Sequence, residues 1–244
     1  MVGTGAMLAM NGRRVAMLDF DLDASGLATI FNADRAKVAE HELLNILKRL
    51  EPARIHDSLI EVTDMMVTRF GVPPKGKGCL KYIPTISNPT LSDEINWKGQ
   101  GLKLCVLKIL QTVLEDCEMD TVLVDLDPGF SPSAAVLFRA VDRAVVVTRL
   151  DRQNIEGLRV TVPQMVKKNL NPLLAVNMVP PESPKTNERI KMLEDATGQP
   201  VSICIDYDPE LVFDDDLESI SRKNSPMNRG VTALAGLIES AGRP

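Results

Sequence analysis

Five short runs, apolar at successive positions rather than at every second one, set the rhythm of the chain. They are Val15-Ala-Met-Leu18, Thr121-Val-Leu-Val-Asp125, Ala144-Val-Val-Val-Thr148, Leu173-Leu-Ala-Val-Asn177 and Ser202-Ile-Cys-Ile-Asp206. Runs of this kind fit strands of a parallel sheet covered on both faces. Between them the apolar residues recur at helical spacing, over Gly101 to Glu115 and over Ile155 to Lys168. Met1 to Met10 is small and apolar, reads as a tightly packed helix, and is closed by Asn11-Gly12 before a strand from Arg13 to Phe20. Helices are also predicted around Glu42 to Leu50, around Ile60 to Phe70 and over Val231 to Ser240, with a turn at Val72 to Gly78 and a strand at Leu80-Lys-Tyr-Ile-Pro84. The alternation predicts an α/β domain of three layers with a mostly parallel sheet. No break in composition is long enough to mark a second domain, so residues 1–244 are expected to form one.

Composition changes this picture little. The 244 residues, 44% hydrophobic and 25% charged, suffice for a substantial core. The 28 Lys and Arg against 33 Asp and Glu leave a formal charge of -5, which argues against a broadly basic nucleic-acid-coating surface. Cys79, Cys105, Cys117 and Cys204 have no paired metal-ligand spacing, and His41 and His56 lie far from them in sequence. Free thiols, no signal sequence and no run long enough to span a membrane lead to the expectation of a cytoplasmic protein without an integral membrane segment. The helix from Val231 lacks the basic face of a helix that binds anionic membranes and reads as a core helix. Asp214-Asp-Asp216 reads as a solvated loop.

The chemistry lies at two strand ends. Asp125-Leu-Asp-Pro-Gly129 follows a buried strand, where a carboxylate can hold magnesium or its water while Pro128 and Gly129 shape a phosphate-sensing loop. Asp19, Asp21 and Asp23 close the first strand, and Asp21 is the expected water-positioning group. Acidic turns in solvent are the plainer alternative for both. Ser131 and Ser133 shape the loop rather than act as nucleophiles, since no activating His or Lys has a sequence signature beside them.

The segment Gly12 to Gly26 resembles the first switch of the ParA/MinD-like P-loop ATPases, and Asp125-Leu-Asp-Pro-Gly129 resembles their second. Asp142 to Thr148, Asn154 to Leu158, Asn177 and Tyr207-Asp-Pro-Glu210 continue the likeness in order. The resemblance implies a cytoplasmic ATPase that binds ATP and Mg2+, forms a nucleotide-dependent homodimer and positions or partitions cargo, with a protein activator or cargo adaptor as a further partner. Nonspecific DNA is open as a partner in that family, but the net charge gives it no support here. By the same resemblance Asp21 orients water, Asp125 serves the magnesium shell, and Asp19, Asp23, Asp127, Pro128 and Gly129 form the switches. Asn177 meets the adenine edge, with Pro180 and Pro181 bordering the base; an asparagine that caps a turn is the alternative.

One departure is large. The family's Lys-Gly-Gly-Val-Gly-Lys-Thr/Ser loop and its strand do not occur here, and Gly3-Thr-Gly5 lacks the lysines to replace them. The expectation is that they lie upstream of Met1, and that the 244 residues alone are poorly stable, do not bind ATP, and leave sheet edges unpaired and apolar surface exposed. A noncatalytic partner-binding protein on the same fold is the main alternative. A nicotinamide-dependent oxidoreductase is weaker, because no strand leads into Gly-x-Gly-x-x-Gly.

Overall fold

The structure, a computed structural model, describes residues 1–32, 38, 42–85, 95–129, 131–180, 183–210 and 218–241. These fall into two compact units, Met1–Leu137 and Phe138–Pro244. The fold class is the expected α/β.

The first unit holds a four-stranded sheet of order β2-β3-β1-β4, formed by β1 (Arg14–Asp19), β2 (Ile60–Glu61), β3 (Cys79–Ile83) and β4 (Thr121–Asp125). β1 runs parallel to both β3 and β4, whereas β2 is antiparallel to β3. Val15, Ala16, Met17 and Leu18 are fully buried at successive positions, as a strand covered on both faces requires. The helices are α1 (Val2–Met10), α2 (Leu27–Ile30), α3 (Leu43–Arg49), α4 (Ile55–Ser58), α5 (Thr63–Phe70), α6 (Gln100–Glu115) and α7 (Pro132–Leu137), with a 3-10 turn at Pro52–Arg54. The segment expected to be helical from Ile60 instead gives its first two residues to β2, where Ile60 and Glu61 pair with Tyr82 and Lys81, and turns helical only at Thr63.

Small residues let α1 sit close to the sheet. A methyl group on Gly5 would come within 2.9 Å of the Met17 sulfur and 3.3 Å of Leu80, so Gly3-Thr-Gly5 is helical packing surface, as its sequence implied. Gly12, at φ +103°, makes the turn into β1. At the opposite end of the sheet from the acidic loops, Arg14 ties β1 to the entry of β4, its guanidinium 3.1 Å from Asp120 and 3.0 Å from Glu118.

The second unit is a parallel sheet of order β5-β6-β7, made of β5 (Val145–Thr148), β6 (Leu173–Val179) and β7 (Val201–Asp206). Its helices are α8 (Arg152–Lys167), α9 (Pro184–Thr197), α10 (Glu218–Ser221) and α11 (Pro226–Ala241). The side chain of Asp151 caps α8 by accepting from the Asn154 amide at 3.0 Å, and Ser183 caps α9 by accepting from Thr186 at 3.2 Å ahead of Pro184. Ile155, Val176, Val179, Leu193 and Ala196 form a core beneath them.

Each sheet ends on an apolar strand with one neighbour. Among the described strands β4 pairs only with β1, and β5 only with β6. All five β4 residues retain solvent exposure, and Val147 of β5 is 59% exposed. Open apolar edges of this kind favour association with other strands. Asp214-Asp-Asp216 lies outside the described residues.

Candidate functional site

The carboxyl edge of the first sheet is where the two acidic clusters meet. β1 and β4 are in parallel register with Asp19 opposite Asp125, so two strand-end carboxylates sit side by side. This is the edge at which open α/β sheets place ligands.

Asp19 is wholly buried and holds the loop that follows it. One of its oxygens accepts from the Asp21 amide at 3.2 Å, the other from the amides of Gly26 at 3.0 Å and Leu27 at 3.2 Å, so the side chain caps the start of α2. Its own carbonyl accepts from the Thr85 hydroxyl at 2.7 Å, and the Ser25 hydroxyl donates to the Thr85 carbonyl at 2.8 Å, which latches the loop to the end of β3. Burial, reinforced by the charge of Asp125, pushes the Asp19 carboxyl up to about 6 even though three amides oppose the shift.

This shift sets a pH dependence. The folded chain holds the Asp19 proton more tightly than the unfolded chain, so the stabilisation is complete below the ordinary value of 3.8 and is lost as pH rises through about 6. The loss amounts to roughly 3 kcal/mol. Urea unfolding across this window should show stability falling with rising pH, and Asp19→Asn should flatten the step. Asp120 and Asp151, held below the usual carboxylate range by Arg14 and by hydrogen bonds from Asn154, act in the opposite sense and at lower pH.

Asp21 is half-buried, accepts from the Ala24 amide at 3.0 Å and lies near enough to Asp125 to raise its proton affinity; Asp23 is exposed. Loss of water contact is the larger cause of the upward shift at Asp125. Asp127 faces a different task. It accepts from Ser131 at 3.1 Å and from Ser133 at 2.8 Å, the two hydroxyls lie 2.6 Å apart, and Ser131 also accepts from the Ala134 amide at the start of α7. These bonds hold the second loop against α7. Pro128 and Gly129 are exposed, and Gly129 has φ +92°, a backbone state that favours glycine.

In the second unit Asn177 stands at a bulge of β6. Its side-chain oxygen accepts from the Met178 amide at 2.9 Å, which supports Met178 at φ +55°. Among the described residues the Asn177 side chain has no further bond, which leaves one lone pair of that oxygen and the amide NH2 for another group. Pro180 is exposed beside it, and Pro181 lies outside the described residues. The Tyr207 amide donates to the Val179 carbonyl at 2.7 Å, and its ring is 40% exposed. Thr85 is the contact that sequence reasoning missed, because its hydroxyl meets the Asp19 carbonyl only when distant chain segments come together; the bonds of Ser131 and Ser133 to Asp127 are local to the loop that those serines were expected to shape.

Among the described residues no three of His, Cys, Asp and Glu converge as a preformed metal cage. Asp125, exposed at the strand end with Asp19 opposite it in register, fits a magnesium ion held by one carboxylate, water and phosphate oxygens.

No known family profile and no curated protein matches the sequence. Solved structures do match in shape. The MinC:MinD cell division protein complex of Aquifex aeolicus aligns over 99% of this chain and 91% of that chain, with TM-score 0.70 and 15% identity. The septum site-determining protein MinD complexed with Mg-ADP, from Pyrococcus horikoshii OT3, aligns over 98% and 89%, with TM-score 0.68 and 17% identity. A ParA family ATPase from Chlorobium tepidum TLS aligns over 96% and 90%, with TM-score 0.65 and 15% identity. The fold is the one these proteins share. It is a three-layer α/β architecture, and identities this low carry fold and not activity. No described helix is long and apolar enough to cross a membrane.

Proposed function

We propose that the protein is a magnesium-ATP-dependent ATPase of the ParA/MinD kind, cytoplasmic, whose two units form one domain and whose nucleotide-dependent dimer positions or partitions cargo through an activator or adaptor. The observation that supports this most is the pairing of Asp19 with Asp125 in register at the carboxyl edge of a parallel sheet, with Asp21 beside them. Bound magnesium would neutralise phosphate charge at this edge. Asp125 would hold it or its water, and Asp21 would orient the hydrolytic water. Asp19 keeps the first loop in place, Asp23 remains on its rim, and Asp127, Pro128 and Gly129 set the second. Asn177 and Pro180, with Pro181, would border the adenine.

The reading needs a phosphate loop that the 244 residues do not contain, and the open edge of β4 is the place in the first sheet to receive its strand. A strand feeding α1 and returning to β1 by a right-handed crossover would pair there. Magnesium-ATP should be titrated by calorimetry into the chain alone and into the chain joined in frame to whatever its gene encodes before Met1. Binding is expected in the longer protein only. Binding by neither would favour a noncatalytic partner-binding protein.

A further inference from the structure

We propose that Cys117 and His56, backed by Asp116, form a thiol-modification site at which a small disulfide converts Cys117 to a mixed disulfide, with His56 as the base. Two elements bring these residues together. Asp116 and Cys117 follow α6 directly, and their amides both donate to the Thr112 carbonyl, at 3.0 and 2.9 Å, so the end of the helix fixes where they stand. His56 belongs to the short helix α4, which packs against α6. Its Nδ1 lies 3.4 Å from the Cys117 sulfur, and its Nε2 lies 3.9 Å from a carboxylate oxygen of Asp116. A nucleophile within reach of a base, with a third group on the far side of that base, is the arrangement that activates a thiol. His56 and Asp116 are half exposed and Cys117 is only partly buried, so a small reagent in solution can reach the sulfur. Because Asp116 faces the far nitrogen of His56, the three groups do not converge on one point as metal ligands would.

The surroundings decide how the sulfur reacts. Burial pushes the Cys117 thiol above its ordinary value, with Lys81 opposing the shift and Asp116 adding to it. The sulfur therefore holds its proton at neutral pH, and that proton must leave as the reagent arrives. His56 Nδ1 is placed to take it. The imidazolium so formed stands at the carboxyl end of a 16-residue helix and beside Asp116, and both favour positive charge. The Sγ electron pair forms the new S–S bond, the old S–S bond breaks with its pair on the departing sulfur, and that sulfur takes the proton back from Nδ1. One small thiol is released, and the disulfide itself is the oxidant. The other thiols lack this arrangement, since among the described residues none of them has an imidazole in contact. Cys204 is exposed, yet burial of its sulfur, Asp206 and Glu194 hold its proton in place. Cys105 is buried, its thiol pushed up to about 11. At Cys79 burial and Glu61 outweigh Lys81 and Arg14.

Oxidised glutathione, added to the full chain without nucleotide and followed by peptide mass mapping, tests this. At about pH 7 Cys117 is expected to take up glutathione about tenfold faster than the more exposed Cys204. His56→Asn should slow Cys117 by about tenfold or more and leave the Cys204 rate unchanged, which separates loss of the base from loss of the fold. The pH profile reads the base directly. From about pH 7 to about pH 8 the Cys117 rate should rise about tenfold in His56→Asn, as for an unassisted thiol, and by less than about threefold in the wild type. Modification of Cys204 or Cys79 ahead of Cys117 overturns the proposal, as does no reaction at any cysteine. So does a Cys117 rate, or a pH slope, that His56→Asn leaves unchanged. The step needs no nucleotide, so this proposal and the ATPase reading can each fail alone.

Discussion

Alanine at position 78 should destabilise the first unit more than any other single added methyl group. A Cβ there would fall 2.1 Å from the Ala9 carbonyl oxygen, 2.9 Å from Gly12 Cα and 3.0 Å from the Pro74 ring. Two of the three are backbone atoms, which cannot swing aside as a side chain can. Three segments are stacked at this point. The Lys75 amide donates to the Met10 carbonyl at 3.1 Å, the Gly78 amide donates to the Lys75 carbonyl at 3.0 Å, and β3 begins at the next residue. To admit the methyl group, the end of α1 must part from the 72–78 turn, which loosens the entry to both β1 and β3. The expected cost is about 3 kcal/mol or more. Gly76→Ala is the comparison, because Gly76 has φ +56° with open space around it and should cost only about 1 kcal/mol. Urea midpoints for the two variants give the measurement. An unchanged midpoint for Gly78→Ala would show that the 72–78 turn does not pack on α1 as described.

Asp21→Asn should lower ATP turnover by about 100-fold or more in the form of the protein that binds magnesium-ATP, with little change in nucleotide affinity. Asparagine is the informative substitution. It keeps an oxygen to accept from the Ala24 amide, so the loop conformation survives, and removes the charge that would orient water. Alanine would lose both and leave the cause ambiguous. Asp23→Asn supplies the contrast, since Asp23 is exposed at the rim of the same loop and its loss should leave turnover within about twofold. Undiminished turnover in Asp21→Asn would remove Asp21 from the proposed role, whatever else the protein binds.

Several elements were legible because their causes are local. Val15 to Leu18 and Leu174 to Val176 read as interior strands from unbroken apolar runs, and both are buried. Asn11-Gly12 announced a turn whose glycine has a positive φ. Carboxylates placed just past an apolar run fall at the strand ends because the run sets where the strand stops, and this is how the candidate site could be placed. The segment from Ile60 was less legible, since its apolar residues suit a helix, and only the presence of β3 alongside drew Ile60 and Glu61 into a two-residue strand.

The sequence by itself thus determined the α/β rhythm and the positions of Asp19, Asp21 and Asp125 at strand ends, because apolar periodicity and turn chemistry act over a few residues. Only the tertiary structure set Asp19 opposite Asp125 and gave the Thr85 hydroxyl to the Asp19 carbonyl. It also decided the faces of α6, whose sequence is apolar nearly all round: neighbours cover Ile109 and Val113 and leave Leu104 and Leu107 in water. Register, hydrogen bonds across tens of residues and the choice of a buried face depend on which segments meet, and no local pattern carries that information.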